Sequence, residues 1–335
     1  MVSLKDISIR CGVSIATVSK ALNNHSDISE ATKDRILKVA REMGYYPNSF
    51  ARALKTNRTY NLGVLFVDEA QSGLTHEYFA NVLDSFKVEA ESHGYDITFI
   101  NKHMGLKKMS YYEHSKYRGV DGVVIACINF DDPDVLELIN GDLPVVTIDH
   151  VFNNRTAIIS DNIKGMRDLI TYIYEMGHRK IAYIGGPHES PNSMYRYAGF
   201  EQALKDFGLV LDKELIVEGN YKISGGSEGV LELLKRGRDF TAVVCANDLM
   251  AIGAMEVLKG AGFRIPEDVS ITGFDDIPMA KYVEPKLTTV AQPCYKMGEV
   301  ATELLIKFIE GKTVEDTVIT LKPKLIIRNS VKKVI

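Results

Sequence analysis

Asp149 follows the apolar run V-V-T-I, Asn247 follows V-V-C-A, and Asp275 follows I-T-G-F. Short carboxylates and amides in such places suit a polyol, because two vicinal hydroxyls donate to one carboxylate while a guanidinium donates back to their oxygens. Arg196, just after the loop G-G-P-H-E-S-P-N-S-M-Y, supplies the guanidinium, and Tyr78, Phe79 and Tyr221 offer flat apolar walls for a ring. Each has a structural alternative. The aromatics can be core, and Asp or Asn at the end of an apolar run can cap the next helix, the expected role of Asp248 before Leu249 and of Asp276 before Pro278. What favours a site is recurrence: Asp149, Asn247 and Asp275 stand at equivalent ends of a repeated pattern, and Asp161 with Asn162 follows I-I-S in the same way.

Residues 225–229 read G-G-S-E-G and satisfy G-x-S-x-G, the turn that exposes a hydrolase serine. That chemistry needs a strand feeding the turn and a later histidine. Residues 221–224 are too polar for the strand and no histidine follows Ser227, so the motif reads as a flexible start to a helix. No G-x-x-x-x-G-K and no H-E-x-x-H occurs, and Cys11, Cys127, Cys245 and Cys294 are far apart without C-x-x-C spacing. No cofactor, no metal site and no enzymatic centre are expected, and the cysteines read as reduced thiols, with Cys11 a small buried side chain.

The elements that must hold these residues alternate. Apolar runs at residues 62–67, 97–100, 120–126 and 144–148 enclose helical patterns at 78–93 and 109–117. The same grammar repeats with runs at 181–184, 215–218, 242–246 and 269–272 and helices near 163–176, 195–207, 227–235 and 249–261. Buried strands separated by helices mean a parallel sheet covered on both faces. Two such units predict two lobes, with ligands at the carboxyl ends of the strands between them. The chain returns to the first lobe near residues 290–293, a helix at 297–310 lies on that lobe, and one last strand ends the chain.

The first sixty residues differ in kind. They hold ten Lys or Arg against five acids, a balance of +5, so a chain of net charge −4 carries −9 in the remainder. A basic head on an acidic body is the pattern of a polyanion-binding module joined to something else. Residues 4–11 and 14–23 are short helical patterns joined by Gly12-Val13-Ser14, where glycine takes a left-handed turn and Ser14 caps the second helix. The spacing fits a helix-turn-helix or an ordinary helical hairpin. In the first case the second helix enters a DNA major groove, Ser14 and Thr17 holding phosphates while Ile15, Ala16 and Lys20 face base edges. A third helix at 29–43 packs Ile36, Ala40 and Met43 inward. Gly44 and Pro47 then stop it, and Asn48 or Ser49 caps a very short helix carrying Ala51, Arg52, Leu54 and Lys55. So short a helix orders only when something packs against it.

The run L-K-D-I-S-I-R-C-G-V-S-I-A-T-V-S-K-A-L-N-N, then Y-Y-P-N-S-F-A-R-A-L-K and N-L-G-V-L, closely resembles the lactose-repressor family of bacterial transcription regulators, and the likeness continues through nearly the whole chain. The resemblance implies a helix-turn-helix head (1–47), a hinge helix and linker (48–60) and a two-lobed body (61–335) like a periplasmic binding protein. Lobe N would take 61–160 and 291–320, and lobe C 161–290 and 321–330. It implies that the hinge helices of two subunits pair in the minor groove, Leu54 wedging between base pairs beside Ala51 and Lys55. Ile15, Ala16 and Lys20 carry the base-reading positions, and Ser19, Asn23, Asn48 and Arg52 complete the DNA-contacting set. Asp149, Arg196, Asn247 and Asp275 match effector-holding positions, and Tyr78, Phe79, Asp161 and Tyr221 match pocket walls.

The effector implied is a sugar or sugar phosphate ahead of a purine; purine-binding members place an aromatic after the first-lobe Asp, and His150 at that position in this chain leaves the chemical class open. Partners are then double-stranded operator DNA, the effector and a second copy in a homodimer, since no heptad helix follows the last strand. With no long apolar run and no basic, apolar leader, a cytoplasmic regulator that contacts no membrane is expected. The runner-up is a cytoplasmic small-molecule-binding or enzymatic module whose head contacts protein.

Overall fold

A computed structural model describes residues 2–46, 53, 58–67, 73–237, 239–314 and 317–334. The chain divides into two compact units, residues 1–59 and 60–335. The expected hinge contacts Asn48, Ala51, Arg52, Leu54 and Lys55 lie outside the described residues.

In the first unit α1 (Leu4–Cys11) starts at Ser3, whose hydroxyl accepts from the Asp6 amide while the Asp6 carboxylate accepts from the Ser3 amide. Gly12 at φ 63° turns the chain into α2 (Ile15–Leu22), and α3 (Glu30–Glu42) follows. Ile7, Cys11, Val18, Ala21, Ile36 and Ala40 form the core, with Leu22 and Met43 packed against it only partly buried.

The second unit runs β1 (Asn61–Phe66), α4 (Glu77–Ser92), β2 (Asp96–Phe99), a small hairpin of β3 (His103–Met104) and β4 (Lys107–Lys108), α5 (Tyr111–Arg118), β5 (Gly122–Ala126), α6 (Pro133–Asn140), β6 (Val145–Ile148) and β7 (Thr156–Ser160). It continues through α7 (Asn162–Glu175), β8 (Ile181–Gly185), α8 (Pro191–Asp206), β9 (Ile216–Glu218), α9 (Ile223–Lys235), β10 (Ala242–Cys245), α10 (Asp248–Gly260) and β11 (Ser270–Thr272). The end is β12 (Thr289–Ala291), α11 (Cys294–Ile309), β13 (Val318–Leu321) and β14 (Lys324–Ile326).

One parallel sheet has the order β13-β7-β6-β5-β1-β2 and the other β11-β10-β8-β9. β12 pairs antiparallel with β14 on the strands that carry the chain between them. Each sheet has its own buried core, around Met166, Phe200 and Val243 in the second and Val64, Phe86 and Leu305 in the first.

Several sequence expectations need correction. α6 and β7 were not anticipated. α6 is only eight residues long, and its start signal is Asp132, whose carboxylate caps the Asp134 amide before Pro133 in the first turn. α8 begins at Pro191 rather than 195 because Ser190 caps it and proline tolerates the first turn. The G-G-S-E-G run falls in the first two turns of α9, which starts at Ile223 rather than 227. A β-carbon on Gly226 would stand 1.8 Å from Met250 O, and one on Gly253 2.0 Å from Ile223 O. These glycines let α9 and α10 pack backbone to backbone.

Candidate functional site

On α2, the Ser14 hydroxyl accepts from the Thr17 amide at 3.0 Å and lies 2.8 Å from the Thr17 hydroxyl. The cap fixes which face turns outward. Val18 and Ala21 are buried, while Ile15, Ala16, Lys20 and Asn23 are exposed and Thr17 and Ser19 half-buried. Ile15, an apolar side chain 47% exposed, suits contact with a thymine methyl better than contact with water. The Lys20 ammonium reaches Asp27 at 2.5 Å, and the Asn23 amide donates to Ser19 O. Both ends of that ion pair are exposed, so it can be exchanged for a contact with DNA at little cost.

In the second unit the two sheets bring carboxylates together. Asp149 directly follows β6 with φ 61°, and its Oδ2 accepts from the Tyr78 hydroxyl at 2.6 Å. Asp275, at φ 112° just beyond β11, accepts at Oδ1 from Arg196 Nη2 at 3.2 Å and from Gln292 Nε2 at 2.6 Å. Non-glycine residues at positive φ are strained, and such strain persists where the surrounding structure fixes a side chain for use. Arg196, its side chain 4% exposed, also donates from Nε to Asn162 Oδ1 at 2.8 Å and from Nη1 to Ala246 O at 2.5 Å. Its guanidinium lies 4.0 Å from the Phe274 ring centre and 6.0 Å from that of Tyr221.

The charges interact across the lobes. Burial pushes the Asp149 carboxyl up to about 6, against the lowering pull of the Tyr78 hydroxyl, Arg196 and the Ser160 amide, while Asp275 adds to the rise. Burial likewise raises Asp275, which Arg196, Gln292 and His76 pull back. Asp149, Tyr78 and His76 from the first lobe thus meet Arg196 and Asp275 from the second.

The other expected residues take structural roles. Asn247 caps α10 through the Met250 amide and donates its Nδ2 to Tyr221 O at 2.8 Å, so it orients the Tyr221 turn. Asp161 caps α7 through the Lys164 amide. Phe79 is buried against Phe66 and Tyr78, as its core alternative had it. The cap roles expected for Asp248 and Asp276 are overturned. Asp248 is fully buried and accepts from the Thr289 hydroxyl and the Ile277 amide, because Asn247 already caps the helix, and Asp276 pairs with Arg328 at 2.5 Å.

Sequence reasoning missed Asn162 as the partner of Arg196, and also Gln292 and His76. Gln292 carried the same signal as the others, a polar residue after an apolar run at the strand end of L-T-T-V-A-Q-P. Among the described residues, no group of three His, Cys, Asp or Glu is placed to hold a metal ion, and no helix is long and apolar enough to cross a membrane.

Residues 3–48 match the model for bacterial regulatory proteins of the lacI family, and residues 170–331 match that for a periplasmic binding protein-like domain. The HTH-type transcriptional regulator RegA of Clostridium saccharobutylicum is 35% identical over 98% of this chain and 98% of its own length. The chain belongs to the lacI family of bacterial regulatory proteins. As a member it is a DNA-binding transcription regulator, with the head as its DNA-binding part and the α/β body of two parallel-sheet lobes expected from the sequence. The HTH-type transcriptional repressor CytR of Escherichia coli (strain K12) is 33% identical over 98% of this chain and 96% of its own. Among solved structures, a lac repressor dimer bound to operator and the anti-inducer ONPF superposes with TM-score 0.82 at 25% identity, over 99% of each chain. A complex of the transcriptional regulator CelR with cellobiose gives TM-score 0.72 at 29% identity, over 98% of this chain and 100% of that one.

Proposed function

We propose that this lacI-family regulator is a homodimeric repressor whose grip on operator DNA is set by a small effector, a sugar, bound between the two lobes. The observation that carries the reading is Arg196, held by Asn162, Ala246 and Asp275 and electrostatically coupled to a first-lobe carboxylate, Asp149, whose Oδ1 is buried without a partner. A guanidinium fixed on three sides beside a half-used carboxylate is prepared for a ligand that both donates and accepts. Tyr78 and Tyr221 flank it; Phe79, Asp161 and Asn247 support it. On the DNA side Ser14, Thr17, Ser19 and Asn23 position the head while Ile15, Ala16 and Lys20 read bases, and residues 48–60 carry the hinge contacts Asn48, Ala51, Arg52, Leu54 and Lys55.

Effector binding changes the spacing of the two first lobes and thereby permits or forbids pairing of the hinges. By linkage, an effector that weakens DNA binding is itself bound less well by the DNA-bound form. The protein does no covalent chemistry and works in the cytoplasm, where its operator is. One observation favours a second reading, a purine or other flat heterocycle: His150, next to Asp149, stacks on Phe130 with ring centres 4.1 Å apart.

The test is a thermal-shift screen against sugars and purine nucleosides, with and without a palindromic operator-like duplex. A true ligand raises the melting temperature by mass action. A compound that stabilises the wild type, changes its DNA binding and is ignored by Arg196→Ala supports the reading. An undiminished response in Arg196→Ala sinks it.

A further inference from the structure

We infer that the cleft takes an uncharged, hydroxyl-rich effector and rejects the phosphate ester of the same compound. The inference rests on the proposed effector site and narrows its ligand. The first ground is the inventory of unused atoms. Of the residues gathered here, Asp149 Oδ1, Gln292 Oε1 and His76 Nδ1 are buried side-chain atoms with no hydrogen-bond partner. Gln292 cannot turn round to relieve this, because its Nε2 is committed to Asp275 Oδ1 and a carboxylate accepts only. The first two are acceptors only, and the imidazole nitrogen donates or accepts according to its tautomer. A buried acceptor left unpaired is destabilising, so the ligand that stabilises this site brings O–H or N–H donors to it. Vicinal hydroxyls do so; phosphate oxygens bring lone pairs to lone pairs.

The second ground is charge. Arg196 is matched by Asp275 and Arg328 by Asp276, while Asp149 and Asp248 make no salt bridge among the described residues. The carboxylates gathered at these strand ends thus exceed the cations in contact with them. Arg196 already donates through Nε, Nη1 and Nη2, and of its five N–H groups only two remain. A phosphoryl group of charge about −1.5 to −2 would share those two with carboxylates that repel it at low local dielectric. The strain is already present without it, since burial holds Asp149, Asp275 and Asp248 all above the ordinary carboxylate range.

The experiment is calorimetric titration of the full chain with matched pairs: ribose and ribose 5-phosphate, glucose and glucose 6-phosphate, cellobiose and its 6-phosphate, cytidine and its 5′-monophosphate. At least one uncharged member is expected to bind about tenfold or more tighter than its ester, a difference of about 1.4 kcal/mol. An ester that binds as well as or better than its partner, or a series in which no uncharged member binds, overturns the inference. The tightest compound is then titrated into Arg196→Ala and Asp149→Asn. Unchanged binding in Arg196→Ala shows that the cleft is not the effector site at all. Binding lost in Arg196→Ala together with a preference for the ester keeps the site and rejects the inference. In Asp149→Asn, which removes one charge and adds a donor, the discrimination against the ester is expected to narrow at least threefold or so, a change that mere loosening of the fold would not produce.

Discussion

The Tyr78 hydroxyl donates to Asp149 Oδ2 at 2.6 Å, and the other oxygen of the same carboxylate is buried without a partner. The two residues come from the start of α4 and the position directly after β6, both in the first lobe. Tyr78 therefore pins the carboxylate in one rotamer while leaving half of its hydrogen-bonding capacity for a ligand. The pair is a stability liability kept for binding, and its strain is written in the raised Asp149 pKa and the positive φ at that residue.

Asp149→Asn is expected to make the ligand-free protein more stable at neutral pH. In the folded state burial lifts the carboxyl from 3.8 to about 6, so the folded chain holds this proton more tightly than the unfolded chain. The favourable contribution is complete below the unfolded value and is lost as pH rises through about 6. At full strength a shift of this size is worth roughly 3 kcal/mol, and relaxation of the cleft reduces it. The stability difference between variant and wild type should grow from pH 4 to about 6.5 and stay flat above. Buried His178 and His114 are pushed the other way and are shared by both proteins, so the difference isolates Asp149. Urea denaturation of both across pH 4–8 checks this; equal slopes would reject it.

Arg196→Ala should unfold the protein more easily as well as remove effector binding. It strips Asp275 of its guanidinium and leaves Asn162 Oδ1 and Ala246 O without their donor. Breaking one side of a buried pair typically destabilises by about 3–5 kcal/mol. Arg196→Lys should recover part of the stability but not the binding, because an ammonium cannot face three directions in one plane. Denaturation midpoints paired with calorimetry separate the two effects.

The alternating apolar runs made the two-sheet body legible, because a strand buried on both faces announces itself by composition alone. The cap at Ser14 and the turn at Gly12 were legible for the same local reason. What was hidden depended on contacts distant in sequence. Nothing near Gln292 says that it spans to Asp275, and Asp248 looked like a cap until Asn247 took that role and Thr289 claimed its carboxylate. Phe79 was offered as a pocket wall on its type, and only its packing on Phe66 assigns it to the core.

Gly226→Ala is expected to be severely destabilising although alanine favours helices. The new methyl would meet the Met250 carbonyl at 1.8 Å, and that backbone cannot step aside as a side chain would. Alanine at Gly260, with no neighbouring atom in range, serves as the control and should be neutral or slightly stabilising. A Gly226→Ala protein melting within a degree or two of wild type would refute the close packing of α9 on α10.

The head offers a prediction of a different kind, in which affinity and selectivity separate. Lys20, in the last turn of α2, is exposed and among the described residues pairs only with Asp27, an exposed acid, so its substitution by alanine should leave the fold of the head intact. If Lys20 reads a base edge, Lys20→Ala relaxes preference at one operator position, by about 1–3 kcal/mol against the mismatched base, with a small change in salt dependence. If it only neutralises a phosphate, affinity falls equally for all sequences and the salt slope drops by about one. Ser14→Ala is the contrasting case, since losing the cap to the Thr17 amide weakens α2 by about 1 kcal/mol and should lower binding to every site together. Binding to a set of single-base operator variants at several salt concentrations tells the roles apart. Base-selective loss in Lys20→Ala with uniform loss in Ser14→Ala is the expected outcome. Uniform loss in both would move Lys20 from the base-reading set to the phosphate-binding set.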